Sequence, residues 1–146
     1  MSQDFQAFKP ELEQQVTAAL TRRSMSNRGT FPPFRIPMAA KSLVAGLIDH
    51  TDEQSAESAE ALGQSLGQQG LGLAALLEAQ AAVIEAIANR FSGAAEPIGF
   101  VTRYFNQLIV SFVAMEQAEV ERQRAEMERV YMKTVSEQRQ QQEQLR

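Results

Sequence analysis

The chain of 146 residues contains no cysteine and no tryptophan, one histidine, two tyrosines and five prolines. Without cysteine there is no disulfide framework, no thiol nucleophile and no thiolate site for zinc or an iron–sulfur cluster. A lone histidine leaves any zinc or haem centre resting on one imidazole plus carboxylates or methionine. Positive charge is also scarce: 14 basic residues against 18 acidic give a net charge of −4, a field that does not favour nucleic acid. The start, MSQDFQAFKPELEQQ, lacks the apolar segment of a secretion signal. No apolar run is expected to approach the ~20 residues needed to span a bilayer. The composition therefore points to a cytoplasmic protein with neither nucleic acid nor membrane as partner.

What is present is apolar side chain at helical spacing. The 44% hydrophobic content argues against disorder, and one domain's length of chain supports a single core. FKPELEQQVTAALTRRSMS places Leu12, Val16, Ala19 and Leu20 on one helical face, with Pro10 near the first turn and Arg22 and Arg23 near the last. NRGTFPPFRIP, with three prolines, predicts an extended loop lying across a bundle, its two phenylalanines seeking apolar cover. MAAKSLVAGLIDH then predicts a second helix carrying Met38, Leu43, Leu47 and Ile48 and ending near His50, with Thr51 or Asp52 capping a third. The run from Ser58 to Phe91 divides near Gly70 and Gly72, because two close glycines cost a continuous helix about 2 kcal/mol. Gly63 and Gly67 share one face and predict the close approach of a neighbouring helix. SGAAEP makes the next turn. No useful strand-like alternation occurs, so the fold class is all-α: a globin-like or helical bundle whose long C-terminal helix extends into a parallel coiled-coil linker.

That last helix, from Ile98 onward, would measure about 75 Å if unbroken at 1.5 Å per residue. Up to Val113 it reads as core, with Phe105, Leu108, Ile109 and Phe112 on one stripe. Beyond Met115 the apolar positions thin to Val120, Met127, Val130, Tyr131, Val135 and Leu145, an imperfect heptad seam with Thr134 and Gln138 at core positions. Pairs Glu119–Arg122, Glu121–Arg124, Glu126–Arg129 and Glu143–Arg146, each three apart, solubilise the outer faces. The division expected is a helical sensor domain at 1–115 and a signalling linker at 116–146. With no terminating signal before Arg146, an output domain is expected to follow. The dimer seam assigned is Val113, Val120, Met127, Tyr131, Thr134 and Gln138.

Catalytic chemistry finds little to work with. His50 has Asp49 and Asp52 beside it, a thin basis for a metal, and reads better as a helix-end residue favoured by the dipole with both aspartates in solvent. GLGLAA, at Gly70, Gly72 and Ala75, matches a dinucleotide fingerprint in form only, since a helix and not a strand precedes it. Ser24, Ser26, Ser42, Ser55 and Ser58 lack a partnering base. Arg22, Arg23, Arg28 and Arg35 form a basic patch that reads as ordinary solvated surface, and Tyr104 and Tyr131 as packing or seam residues. No enzyme activity, metal or cofactor is expected.

GQSLGQQGLGLAALLEAQAAVIEAI resembles the glycine-containing helix pair in the amino-terminal domains of RsbR-type stressosome co-antagonists. YMKTVSEQRQQQEQLR resembles the helix joining that domain to a following STAS domain, and the likeness runs from about Ala56 to Arg146. It implies a haem-free, globin-like, homodimeric domain that passes a signal through paired last helices to STAS domains acting on an anti-sigma factor pathway. Lys133, Thr134 and Val135 would then serve mechanical coupling, and Thr134 would not inherit the phosphorylation known in the STAS part. GTFPPFRIP has no counterpart in the resemblance. Two alternatives stay open: a haem- or small-ligand-binding globin with an apolar pocket at Leu76, Leu77, Phe100 and Phe105, and the sensor region of a histidine kinase.

Overall fold

The computed structural model describes residues 2–27, 31–53 and 56–145. Arg28, Ser55, Arg146 and the side chain of Asp52, all assigned above, lie outside the described residues. Five α-helices, α1 (Ser2–Arg22), α2 (Ile36–Glu53), α3 (Ala56–Gln69), α4 (Leu73–Arg90) and α5 (Ala95–Gln144), account for most of the chain. Two short 3₁₀ turns lie at Ser24–Ser26 and Pro33–Arg35, and the described residues contain no strand. The chain forms two compact units, Met1–Glu116 and Gln117–Arg146.

In the first unit α1 packs against both α2 and α4, and α3 packs against α2. The buried face of α1 begins earlier than the sequence suggested. Pro10 lies inside the helix, not near its first turn, since α1 already starts at Ser2. An interior proline removes one hydrogen bond and costs about 3 kcal/mol. The turns before it are held by Phe5 and Phe8, both buried, whose rings meet Phe91 at centroid distances of 5.9 and 6.3 Å. The Arg90 guanidinium stacks 5.1 Å from the Phe8 ring centre. Two buried phenylalanines contribute about 1.5–3 kcal/mol each, enough to offset the proline.

Three further helix boundaries differ from the sequence reading. α2 starts at Ile36, ahead of Met38, because Pro37 in a first turn needs no amide partner. It also runs past His50 to Glu53, and Thr51 caps nothing: buried, it donates its hydroxyl to the Ile48 carbonyl at 2.6 Å within α2. α5 starts at Ala95, with the buried Pro97 in its opening turn. Of the proline-rich segment's phenylalanines, Phe31 is buried while Phe34 is 73% exposed, so only one found apolar cover.

The predicted break between α3 and α4 is where the glycines place it. Gly70 adopts a left-handed φ of 100°, and the amides of Gly70 and Leu71 both donate to the Leu66 carbonyl at 3.2 Å, closing the end of α3. Gly72 donates its amide to Asn27 Oδ1 at 2.7 Å, and a side chain there would collide with the Ser26 backbone. This clasp ties the end of the first 3₁₀ turn to the α3–α4 corner.

Gly63 and Gly67 also act as expected. A methyl group on Gly63 would strike the Leu108 carbonyl and the Ser111 hydroxyl, and one on Gly67 would lie 2.8 Å from the Phe112 carbonyl. Backbone of α3 therefore rests on backbone of α5, sealed by the Ser111 hydroxyl donating to the Glu60 carbonyl at 2.8 Å. Opposite, Tyr104 enters the space left by Gly46 and donates its hydroxyl to the Leu43 carbonyl of α2 at 2.8 Å. Val101, Tyr104, Phe105, Leu108 and Phe112 give α5 its core face, and Ile109 and Val113 pack against its edge.

One expectation about apolar runs does not hold. An 18-residue window within α5 reaches a mean hydropathy of 1.3, long and apolar enough by composition to cross a membrane, and a third of it is buried inside the protein. The buried third includes Val101, Phe105, Leu108 and Phe112, while Ile98, Ile109 and Val113 are partly covered and Val110 is 71% exposed.

Candidate interaction face on the last helix

Past Glu116 most apolar side chains of α5 are uncovered, Val135 being only partly so. Met127, Val130, Tyr131 and Met132 are each more than half exposed, and Val120 and Leu145 join them. At about 100° per residue, Val120, Met127, Tyr131, Thr134 and Gln138 fall within about 60° of one another, so they form one stripe. Solitary exposed apolar residues are ordinary on a protein surface, but a stripe of them on one helix marks a contact surface.

Two shallow grooves of about 650 and 670 Å³ flank the ridge made by Met127 and Tyr131. Val120, Arg124 and Met132 line one; Val130 and Thr134 line the other. Both hollows are wide open, as the surface of a single helix is between its side chains. Of the stripe's polar members, Thr134 donates its hydroxyl to the Val130 carbonyl at 3.0 Å, so the group is satisfied by its own helix.

Charge is managed on the helix's other faces, where the predicted Glu119–Arg122 pair forms but Glu126 takes a different partner. Arg122 binds Glu119 at 3.0 Å and Glu126 at 3.3 Å, so Glu126 is drawn to Arg122 and not to Arg129. The hydrogen bond and charge of Glu119 push the Arg122 guanidinium further above its usual range. Such exposed pairs contribute little stability. Of the other seam residues named from sequence, Val113 is packed at the edge of the core, and Gln138 is exposed.

The residues assigned to an apolar pocket do not share a hollow among the cavities found. Leu76 and Phe105 are fully packed, Phe100 is nearly buried with Arg103 stacked 4.9 Å from its ring centre, and Leu77 is 47% exposed. The helical unit has instead a groove of about 480 Å³ where Phe34, Arg35 and Met38 meet Leu62 and Leu66. Phe34 and Met38, four apart and both exposed, were the sequence signal for it, hidden by the assumption that apolar residues here turn inward.

His50 lies in the last turn of α2, as the sequence suggests, and is buried there. It is 3% exposed, its ring 5.8 Å from that of Tyr104, while Asp49 is exposed. Burial, reinforced by the nearby Asp49 charge, pushes the Tyr104 phenol well above its usual range. Among the described residues no three histidine, aspartate or glutamate side chains gather as metal ligands would. The basic patch is also divided: Arg22 and Arg23 both reach Glu78 of α4 at 3.5 Å, while Arg35 lines the groove beside Phe34. Compared with known proteins, the chain matches no family model, no curated protein and no solved structure.

Proposed function

We propose that this chain is a non-catalytic regulatory module that self-associates through the Val120–Met127–Tyr131 face of α5 and relays a conformational signal along that helix to an output domain. The observation that carries the reading is the exposed apolar stripe of Val120, Met127 and Tyr131. Polar residues at Thr134 and Gln138 keep such a seam shallow in energy, so that small inputs can shift its packing. The architecture we assign is a globin-like bundle leading into a parallel coiled coil. Full packing of Leu76 and Phe105 favours a bundle filled by its own side chains over one built around haem. The resemblance of residues 56–146 to stressosome co-antagonists supplies the output: a STAS domain acting in an anti-sigma factor pathway. A cytoplasmic location is part of this reading and rests on the sequence, which begins without the apolar segment of a secretion signal.

Light scattering on the full chain at tens of micromolar tests the central claim. The expected mass is twice the 16.2 kDa of one chain. Tyr131→Glu sets like charges in the seam and is expected to return the monomer with its helix content intact. A monomeric parent, or a Tyr131→Glu dimer of undiminished affinity, refutes the reading.

A further inference from the structure

The groove between α2 and α3 lies in the helical unit, apart from the seam of α5. Phe34 and Met38, one turn apart, stand 73% and 67% exposed on its lining, while Leu66 is buried. Pro32 and Pro33 fix the backbone ahead of Phe34, and the Arg35 amide closes the turn on the Pro32 carbonyl at 3.0 Å. The short side chains of Ala39 and Ser42 leave the space unfilled, at about 480 Å³. Sites for small ligands fall in this range and are mostly apolar, with a few polar groups that fix orientation. The lining runs from Arg35 to Ser42 on one side and from Leu62 to Gln69 on the other, about 10 Å each at 1.5 Å per residue. A specific protein partner buries at least about 1,000 Å², more than a hollow of this length offers, whereas a linear hydrocarbon chain fits it.

Charge on this lining is of one sign. Arg35 is its single ionised side chain, and Lys41 lines a different hollow, beside α1. Arg22 and Arg23 reach Glu78, Arg90 stacks on Phe8 and Arg103 on Phe100. Among the described residues of Met1–Glu116, Arg35 is thus the arginine with neither a carboxylate nor a ring against it. Ser65 accepts the Gln69 amide at 2.8 Å, which leaves its own proton to donate. A guanidinium holds a carboxylate through two parallel hydrogen bonds, while a phosphate monoester would bring a second negative charge with no partner here. One cation beside an apolar trough complements one anion at the end of an apolar chain.

We propose that this groove binds a free fatty acid of medium chain length, its carboxylate paired with Arg35 and its chain laid along Phe34, Met38, Leu62 and Leu66. Such a site gives the regulatory module an input that does not depend on the seam. Octanoate and 1-octanol share a chain and differ in charge, so together they test it in an amide NMR titration of the full chain. Octanoate is expected to give saturable shifts at Met38, Ser42, Ser65 and Gln69, in the parent and in Tyr131→Glu alike. Arg35→Gln is expected to weaken octanoate by roughly tenfold and to leave 1-octanol unchanged, the mark of a charge-assisted pair. Phe34→Ala, at an exposed position that the fold does not need, is expected to weaken both probes alike. Absence of shifts, a response that never saturates, or shifts confined to residues 120–135 overturns the site, the last because the chains then coat the stripe of α5. Octanoate affinity untouched by Arg35→Gln overturns it as well, as does binding that Tyr131→Glu abolishes. A monomeric parent that binds octanoate as expected refutes self-association and leaves the groove standing, so the two readings fail separately.

Discussion

Replacing Gly63 by alanine puts the closest helix contact of the protein to a direct test. In an exposed helix the change is favourable by about 1 kcal/mol, because alanine loses less backbone entropy. Here the added methyl meets the Leu108 carbonyl, part of the α5 backbone, so no side-chain rotation relieves it. Overpacking of this kind costs about 1–3 kcal/mol. Displacing α3 also breaks the Ser111–Glu60 hydrogen bond, worth about 1 kcal/mol more. Against the propensity gain, the balance is a loss of about 1–3 kcal/mol. Gly99→Ala is the matched control, since its methyl would meet only the tip of Arg103 at 3.6 Å; it is expected to stabilise by up to about 1 kcal/mol. Urea unfolding followed by circular dichroism reads both. The reasoning fails if Gly63→Ala unfolds at or above the parent midpoint, or if the two substitutions shift it in the same direction.

Other outcomes follow from the same contacts. Tyr104 keeps its proton in the folded state to higher pH than in the unfolded chain, whose phenol titrates near 10. Its contribution is therefore complete below about pH 10 and lost as pH rises above it. Tyr104→Phe is expected to lower stability by about 1 kcal/mol at neutral pH and to flatten that alkaline decline; an unchanged decline would show another group responsible. Gly70→Ala forces a side chain into the left-handed region and is expected to cost about 1 kcal/mol, seen as a lower melting midpoint.

Much of the bundle was legible because its signals are local. Gly63 and Gly67 declare a close approach through spacing alone, and Gly70 and Gly72 a corner through their freedom of backbone. The core face of α5 was readable at Phe105, Leu108 and Phe112, where the helical period is uninterrupted. The failures came where a distant residue decides. Pro10 reads as a helix start until Phe91, far along the chain, is seen to hold the two phenylalanines before it. His50 reads as a polar helix end and is one, but its burial shows only when Tyr104 is brought beside it, since local polarity says nothing of a ring arriving from α5. Phe31 and Phe34 are alike in sequence and opposite in exposure, a difference set by which turn each occupies. The seam's spacing was visible as well, but a spacing names a face and not what covers it.

The meeting of Phe5 and Phe8 with Phe91 also bears on how the protein comes into being. During synthesis, α1 and its apolar face emerge first, yet the ring that covers their leading end belongs to the residue that closes α4. Tyr104 likewise reaches α2 only after α5 has begun. No stretch of the nascent chain that stops short of Phe91 can therefore shield the two phenylalanines of α1, and contacts this distant in sequence are the slow ones to form. Until then the two leading phenylalanines stand open to chaperones or to neighbouring chains, so the vulnerable period of this small bundle is its own translation.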